Sequence, residues 1–282
     1  MYSASFDYVR ANSVAEAIAL LGERENARLM AGGHSLIPAM KMHLDEPGTV
    51  IDIGRIGELK GIHFSRIGHV LIGALTTHAE IAKSKNVPAG LREAAGMIGD
   101  PQVRNRGTIG GNVAHADPAS DMPTILNALG AIFHLISANG TRTVAAGDFF
   151  KGFFETDKRK GEVLVEIEVP ASPASAYEKM ANPASGYCMV GVGVSLTASN
   201  GVCTSARIAL GGLTPQTTRS PSAEAALVGK TLDAATLTAA SLAAANDLGD
   251  DLIGDIHASA SYRKAILNVY ALRALTKAAG RI

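Results

Sequence analysis

Residues 27–53 read ARLMAGGHSLIPAMKMHLDEPGTVIDI. Arg28 to Ala31 is short and apolar, reads as a strand, and ends in Gly32-Gly33. Ser35 to His43 is predicted helical and Thr49 to Ile53 a second strand, so the segment is a small βαβ unit. Two bare positions at its crossover permit positive φ and close backbone approach. Consecutive N–H groups in such a turn form a concavity for an anion, and a helix starting nearby adds its positive end.

Upstream, Ser13-Val14-Ala15-Glu16 has the spacing of a capping box and opens a helix to about Leu21. Downstream, Val70 to Ala74 reads as a strand and Thr77-His78-Ala79-Glu80 opens a helix to about Lys83. A further helix over Leu91 to Ile98 is stopped by Asp100-Pro101, and a long loop carries RNRGTIGGNVAHADPASD. Met122 to Leu129 is predicted helical and Ala131 to Ser137 a strand, with a hairpin turn at Asn139-Gly140. Strands near Thr141–Val144 and Val163–Val169 follow, closed by Pro170.

The run ASPASA, residues 171–176, is a composition shift that marks a domain boundary. Beyond it Val190, Val192, Val194 and Leu196 alternate with Gly191, Gly193 and Ser195. One strand face is branched and buried and the other nearly bare, which suits either a flat ring lying beside Tyr187 or Tyr187 as a core residue with a satisfied hydroxyl. Asn200-Gly201 turns the chain, Val202 to Leu210 returns, and the sequence from Pro221 onward is Ala-rich and helical.

The loop Thr108-Ile109-Gly110-Gly111-Asn112 has the character of the first glycine pair. Neither is a familiar nucleotide signature. There is no G-x-x-x-x-G-K-[ST], and no G-x-G-x-x-G follows a strand. Lys+Arg and Asp+Glu balance at 26 each, which leaves no excess for nucleic acid or an anionic membrane. The longest uncharged stretch is broken by Gly, Ser, Thr and Asn and reads as a hairpin rather than a membrane span. The N-terminus lacks a signal-peptide profile, and Cys188 and Cys203 are expected to sit reduced in a cytoplasmic protein. Two cysteines cannot hold a cysteine-ligated iron–sulfur cluster. His115, Asp117 and Asp121 do not have the spacing of a metal site, so no metal is expected. His34 reads as a hydrogen-bonding residue more readily than a catalytic one.

The stretches ARLMAGGHSLIPAMK, IGALTTHAEIA, IGDPQVRNRGTIGGNVAHADPASDMP and YEKM, with IALGGLTP and SASYRKAIL near the C-terminus, resemble the FAD-binding medium subunit of the molybdenum hydroxylase family. The similarity is strongest to the carbon-monoxide dehydrogenase branch and covers essentially the whole chain. It implies an α+β fold: a two-part FAD-binding domain of the vanillyl-alcohol-oxidase (PCMH) type over residues 1–172, split near 55, plus a smaller α+β C-terminal domain over 176–282. It places FAD against Ala31, Gly32, Gly33, His34 and Ser35, and against Thr108, Ile109, Gly110, Gly111 and Asn112. Asp121, Leu164, Lys179 and Tyr187 match further FAD contacts. The sequence departs from the family pattern at Ala181-Asn182-Pro183, where basic residues are usual, and at Gly186, where an acidic one is.

The resemblance implies an electron-transfer subunit with no catalytic residue for substrate. It implies partners too: a small [2Fe-2S] subunit and a large molybdopterin subunit, assembled as a dimer of heterotrimers. The alternatives are a stand-alone flavin oxidase or reductase of the same cofactor fold and a non-catalytic nucleotide-binding module.

Overall fold

The computed structural model describes residues 2–282. Its first layer is built from β1 (Asp7–Arg10), α1 (Val14–Glu23), β2 (Ala27–Met30), α2 (Leu36–Lys41) and β3 (Thr49–Asp52). The three strands are parallel in the order β1-β3-β2, so the βαβ unit read from residues 27–53 is present. Ser13 caps α1 by accepting from the Glu16 amide at 3.1 Å. Glu16 reaches back one residue further than a capping box requires, to the Asn12 amide at 2.7 Å. Ala11, Val14, Ala17, Ile51 and Ile53 form the small core beneath.

The second part runs through β4 (Ile62–Phe64), β5 (Val70–Gly73), α3 (His78–Lys83), α4 (Ala89–Met97), α5 (Pro101–Arg106), α6 (Ile109–His115) and α7 (Asp121–Leu129). It continues with β6 (Ile132–Ser137), β7 (Gly140–Ala145), α8 (Ala146–Phe149), β8 (Phe150–Gly152), β9 (Glu155–Thr156) and β10 (Val163–Val169). Five of these strands form one antiparallel sheet, β4-β5-β10-β6-β7. Thr77 and Glu80 form a complete capping box on α3.

The long loop expected across residues 104–121 is largely helical. Asp100 is a start signal rather than a stop: its carboxylate accepts from the Val103 amide at 2.8 Å, and Pro101 takes the first position of α5. Thr108 then caps α6, accepting from the Gly111 amide at 3.2 Å. The glycine pair lowers intrinsic helix propensity, which hides α6 from a pattern search.

The last part comprises β11 (Ala174–Ala181), β12 (Cys188–Ser199), β13 (Val202–Gly211), β14 (Thr218–Arg219), α9 (Pro221–Leu227), α10 (Ala234–Ala243) and α11 (Ala260–Ala279). The strands form an antiparallel sheet in chain order. Val190, Val192 and Val194 pack under the helices with Leu267 and Leu275.

The opposite face of β12 is not open to a flat ring. A Cβ on Gly193 would stand 3.1 Å from the Cα of Ile125, and one on Gly211 would collide with Thr124 Oγ1. The bare face is where α7 of the preceding domain lies down, and every residue of α7 is buried in consequence. Among the described residues, no helix is long and apolar enough to cross a membrane.

Candidate functional site: two glycine loops and a clamped carboxylate

The turn from β2 to α2 carries Ala31 to Ser35. Gly33 holds φ 75°, a left-handed value that glycine adopts without strain. Gly32 is bare for a different reason: a Cβ there would collide with the carbonyl oxygen of Arg106, and Gly107 Cα is 3.1 Å away. Among the described residues, the amides of Gly33, His34 and Ser35 donate to no acceptor in the chain, and the Ser35 hydroxyl makes no capping bond. His34 is exposed, with Nδ1 3.2 Å from the Gly32 carbonyl oxygen.

The second loop behaves differently. Ile109 N–H donates to Thr76 O at 3.0 Å, Gly110 N–H to Ala74 O at 2.8 Å and Asn112 N–H to Thr108 O at 3.0 Å. Gly111 N–H goes to Thr108 Oγ1. Its amides are therefore spent on structure, and what it offers a ligand is side-chain chemistry. The Asn112 Oδ1 accepts from Ser120 Oγ at 2.6 Å, which directs the remaining amide group elsewhere. Gly110 is required because a Cβ would stand 2.7 Å from the Ala74 carbonyl oxygen. The two loops touch, since a Cβ on Gly111 would be 3.7 Å from that of Ala31.

His78 lies against the seam between them. Its ring edge packs on Gly107, its amide donates to Gly107 O at 3.1 Å, and it is 2% exposed. Nδ1 is buried with no hydrogen-bond partner among the described residues. Burial, reinforced by the nearby His34, lowers its pKa to about 4. The ring is therefore neutral at ordinary pH.

Asp121 opens α7 and is buried. Its Oδ2 accepts from Lys179 Nζ at 2.9 Å and its Oδ1 from the Tyr177 hydroxyl at 2.8 Å. Lys179 also donates to Gly186 O at 2.8 Å. Burial raises the Asp121 pKa, and Lys179 and Tyr177 oppose that rise. Tyr187 follows Gly186 and is half-exposed; partial burial, then Asp117, raises the pKa of its hydroxyl.

The predicted residues thus fall into three groups. The two loops meet. Asp121 and Lys179 pair across the domain junction, with Tyr187 next in the chain to the Gly186 carbonyl that Lys179 binds, and Ser120 beside Asp121 is bonded to Asn112 of the second loop. The Leu164 side chain packs into the core of the five-stranded sheet. The neighbouring Val165 O accepts from Ala74 N at 2.9 Å, which brings this strand to the second loop.

Sequence reasoning passed over His78 and Tyr177. A period-two reading of β11 places Tyr177 on the same face as Lys179. The cost of His78 is visible only once its neighbours are known.

Residues 4–172 match the family described as "FAD binding domain in molybdopterin dehydrogenase", and residues 175–278 match "CO dehydrogenase flavoprotein C-terminal domain". The chain is 40% identical to the carbon monoxide dehydrogenase medium chain of Hydrogenophaga pseudoflava, covering 98% of each. It is 38% identical to the glyceraldehyde dehydrogenase medium chain of Sulfolobus acidocaldarius, covering 99% of this chain and 100% of that one. Among solved structures, a chain of the Hydrogenophaga pseudoflava carbon monoxide dehydrogenase superposes with a TM-score of 0.94 at 41% identity, covering 100% and 99% of the two chains. A chain of quinoline 2-oxidoreductase from Pseudomonas putida 86 gives 0.92 at 33% identity, covering 99% of both. The chain belongs to the family of FAD-binding medium subunits of molybdenum hydroxylases, with carbon monoxide dehydrogenase medium chains among its relatives.

Proposed function

We infer that this chain is the FAD-carrying electron-transfer subunit of a molybdenum hydroxylase. The observation that carries the reading is the turn after β2, where three successive amides have no acceptor among the described residues and Gly33 is left-handed. Successive amides around a left-handed residue make an anion cradle, and a diphosphate fits that chemistry. Bound FAD supplies the redox chemistry, accepting and releasing electrons, while the protein fixes its place and surroundings.

The amides of Gly33, His34 and Ser35, with the Ser35 hydroxyl, bind the diphosphate. Ala31, Gly32, Ile109, Gly110 and Gly111 bring the two loops into register and keep the approach clear. Thr108 and Asn112 add side-chain groups. Asp121 accepts from a hydroxyl of the cofactor, Lys179 holds that carboxylate, Leu164 contributes backbone, and Tyr187 stands at the exposed margin of the site.

Electrons come from a small [2Fe-2S] subunit, which receives them from a large molybdopterin subunit where the substrate is oxidised. Two buried cysteines leave this chain no cluster ligands of its own. The assembly is a dimer of heterotrimers in the cytoplasm. A stand-alone flavin oxidase is not favoured, because the relatives matched end to end are medium chains of larger dehydrogenases.

Co-expression of the tagged chain with its adjacent reading frames, followed by size-exclusion chromatography, metal analysis and identification of the released flavin, tests the reading. It predicts stoichiometric FAD, with iron and molybdenum in the same peak. A flavin-loaded chain that elutes alone and oxidises an organic substrate without metals would overturn it.

A further inference from the structure

A carboxylate as deeply buried as Asp121 is costly unless its oxygens are paired. Both are, and both partners come from one strand of the other domain. Tyr177 and Lys179 are two residues apart on β11, so they share a face and meet Asp121 together.

Proton counting gives the network a direction. The Tyr177 hydroxyl has one hydrogen, and it goes to Asp121 Oδ1 at 2.8 Å. The Cys188 sulfur lies 3.6 Å from the same hydroxyl. The carboxylate at 2.8 Å takes the phenol hydrogen, and the sulfur is the longer, weaker acceptor beside it. Burial, then Asp121, pushes the Cys188 thiol up to about 12, so its proton stays in place. Burial, then Asp121, likewise keeps the Tyr177 hydroxyl protonated. A neutral thiol competes weakly for that hydrogen, so the phenol stays turned to the carboxylate.

The space for it is reserved: a Cβ on Gly191 would stand 2.6 Å from the Tyr177 oxygen and 2.7 Å from the Cys188 sulfur. The charged and titratable groups facing Asp121 are Lys179 and Tyr177 from β11 and Cys188 from β12, with Arg263 of α11 beyond the thiol.

We propose that Tyr177 is a positioning residue of the cofactor site, its hydroxyl donating to the Asp121 carboxylate and locking it in one orientation toward FAD. The C-terminal domain then governs how tightly the preceding domain holds its cofactor. This rests on the assignment of FAD to the site, and Asp121 acts as the contact through which Tyr177 is felt.

The test uses the chain purified with its partner subunits and follows FAD release by flavin fluorescence as a function of pH. Tyr177→Phe keeps the ring and removes only the donor. Release from this variant is expected to be about tenfold faster near neutral pH, the size of a lost hydrogen bond to a charged group. Its acid limb should move to higher pH by about one unit, since the carboxylate loses a bond that favours its ionised form. In an Asp121→Asn background the same substitution should change nothing further. Cys188→Ala removes the neighbouring sulfur and leaves the phenol's bond to Asp121, so its release profile should stay within about twofold of wild type; a tenfold faster release from it would show that packing rather than the phenol hydrogen bond holds the cofactor, which keeps the proposal open to refutation should Tyr177→Phe not accumulate folded. A Tyr177→Phe profile superimposed on wild type overturns the proposal, whatever its melting temperature. So does an effect that persists undiminished in Asp121→Asn. Wild-type complex that carries no FAD defeats the assignment of the cofactor itself, a distinct result.

Discussion

A valine at Gly110 would drive its side chain into Ala74, at the point where α6 meets the end of β5. A substitution at Gly33 meets only the flexible end of Ile37, 2.7 Å away, but pays for a left-handed φ of 75°. The two glycines therefore fail differently. Gly110→Val is expected to lower the stability of the flavin-free chain by about 1–3 kcal/mol through overpacking. Gly33→Ala should leave most of that stability and instead reduce bound FAD, because it distorts the cradle. Thermal denaturation of the apo-protein set beside flavin absorbance of the holo-protein separates them; equal loss of stability in both would remove the distinction. His78 makes a pH prediction of its own. The folded ring titrates at about 4 and the unfolded ring near 6.5. As pH falls from 6.5 the unfolded chain takes up a proton that the folded chain refuses, so stability is present above 6.5 and declines toward 4. The loss from this group approaches about 3 kcal/mol. His78→Leu should flatten that part of the profile in denaturant titrations at stepped pH, and an unchanged slope would show that the ring is not the titrating group.

The capping box on α3, the βαβ unit of residues 27–53 and the hairpin at Asn139-Gly140 were legible because each is decided by neighbours in sequence. Helices α5 and α6 were not. Their signals are an Asp-Pro that serves equally well as a stop and a glycine pair that argues against helix, and tertiary bonds from Ile109 and Gly110 to Thr76 and Ala74 settle the matter. The glycine loops marked a candidate site in the sequence, yet the sequence could not separate a loop whose amides are free from one whose amides are spent. That difference depends on residues more than thirty positions upstream. The glycine face of β12 was visible as a pattern, but its occupant was not. The occupant is α7, and the fit is close enough to predict the outcome of filling it. Gly193→Val should push α7 off the sheet, since even a Cβ there stands 3.1 Å from the α7 backbone. A lower melting temperature with new proteolytic cleavage near residues 171–174 is expected; wild-type resistance would mean that the helix tolerates the added volume.

The two halves are also joined by a cluster of charged side chains around Glu93. Glu93 of α4 accepts from the Tyr177 amide at 3.1 Å, pairs with Lys277 at 3.3 Å and binds Arg281, while Lys277 reaches Glu178 at 2.7 Å. Partly exposed pairs of this kind contribute only about 0.2–1 kcal/mol each. The larger coupling comes from α7, which is core to both halves at once. Calorimetry of the apo-protein should therefore give one transition whose calorimetric and van't Hoff enthalpies agree, and two resolved transitions would show that the halves melt independently. The same shared helix sets an order of events during synthesis. A ribosome releases α7 well before β12 and β13 exist, and chains generally assemble domain by domain from the N-terminus as they emerge. Here the N-terminal half reaches that moment with one side of a central helix uncovered and facing solvent until the glycine strands arrive. The nascent chain has an exposed interval written into its topology, and that interval is when a chaperone would find most to hold.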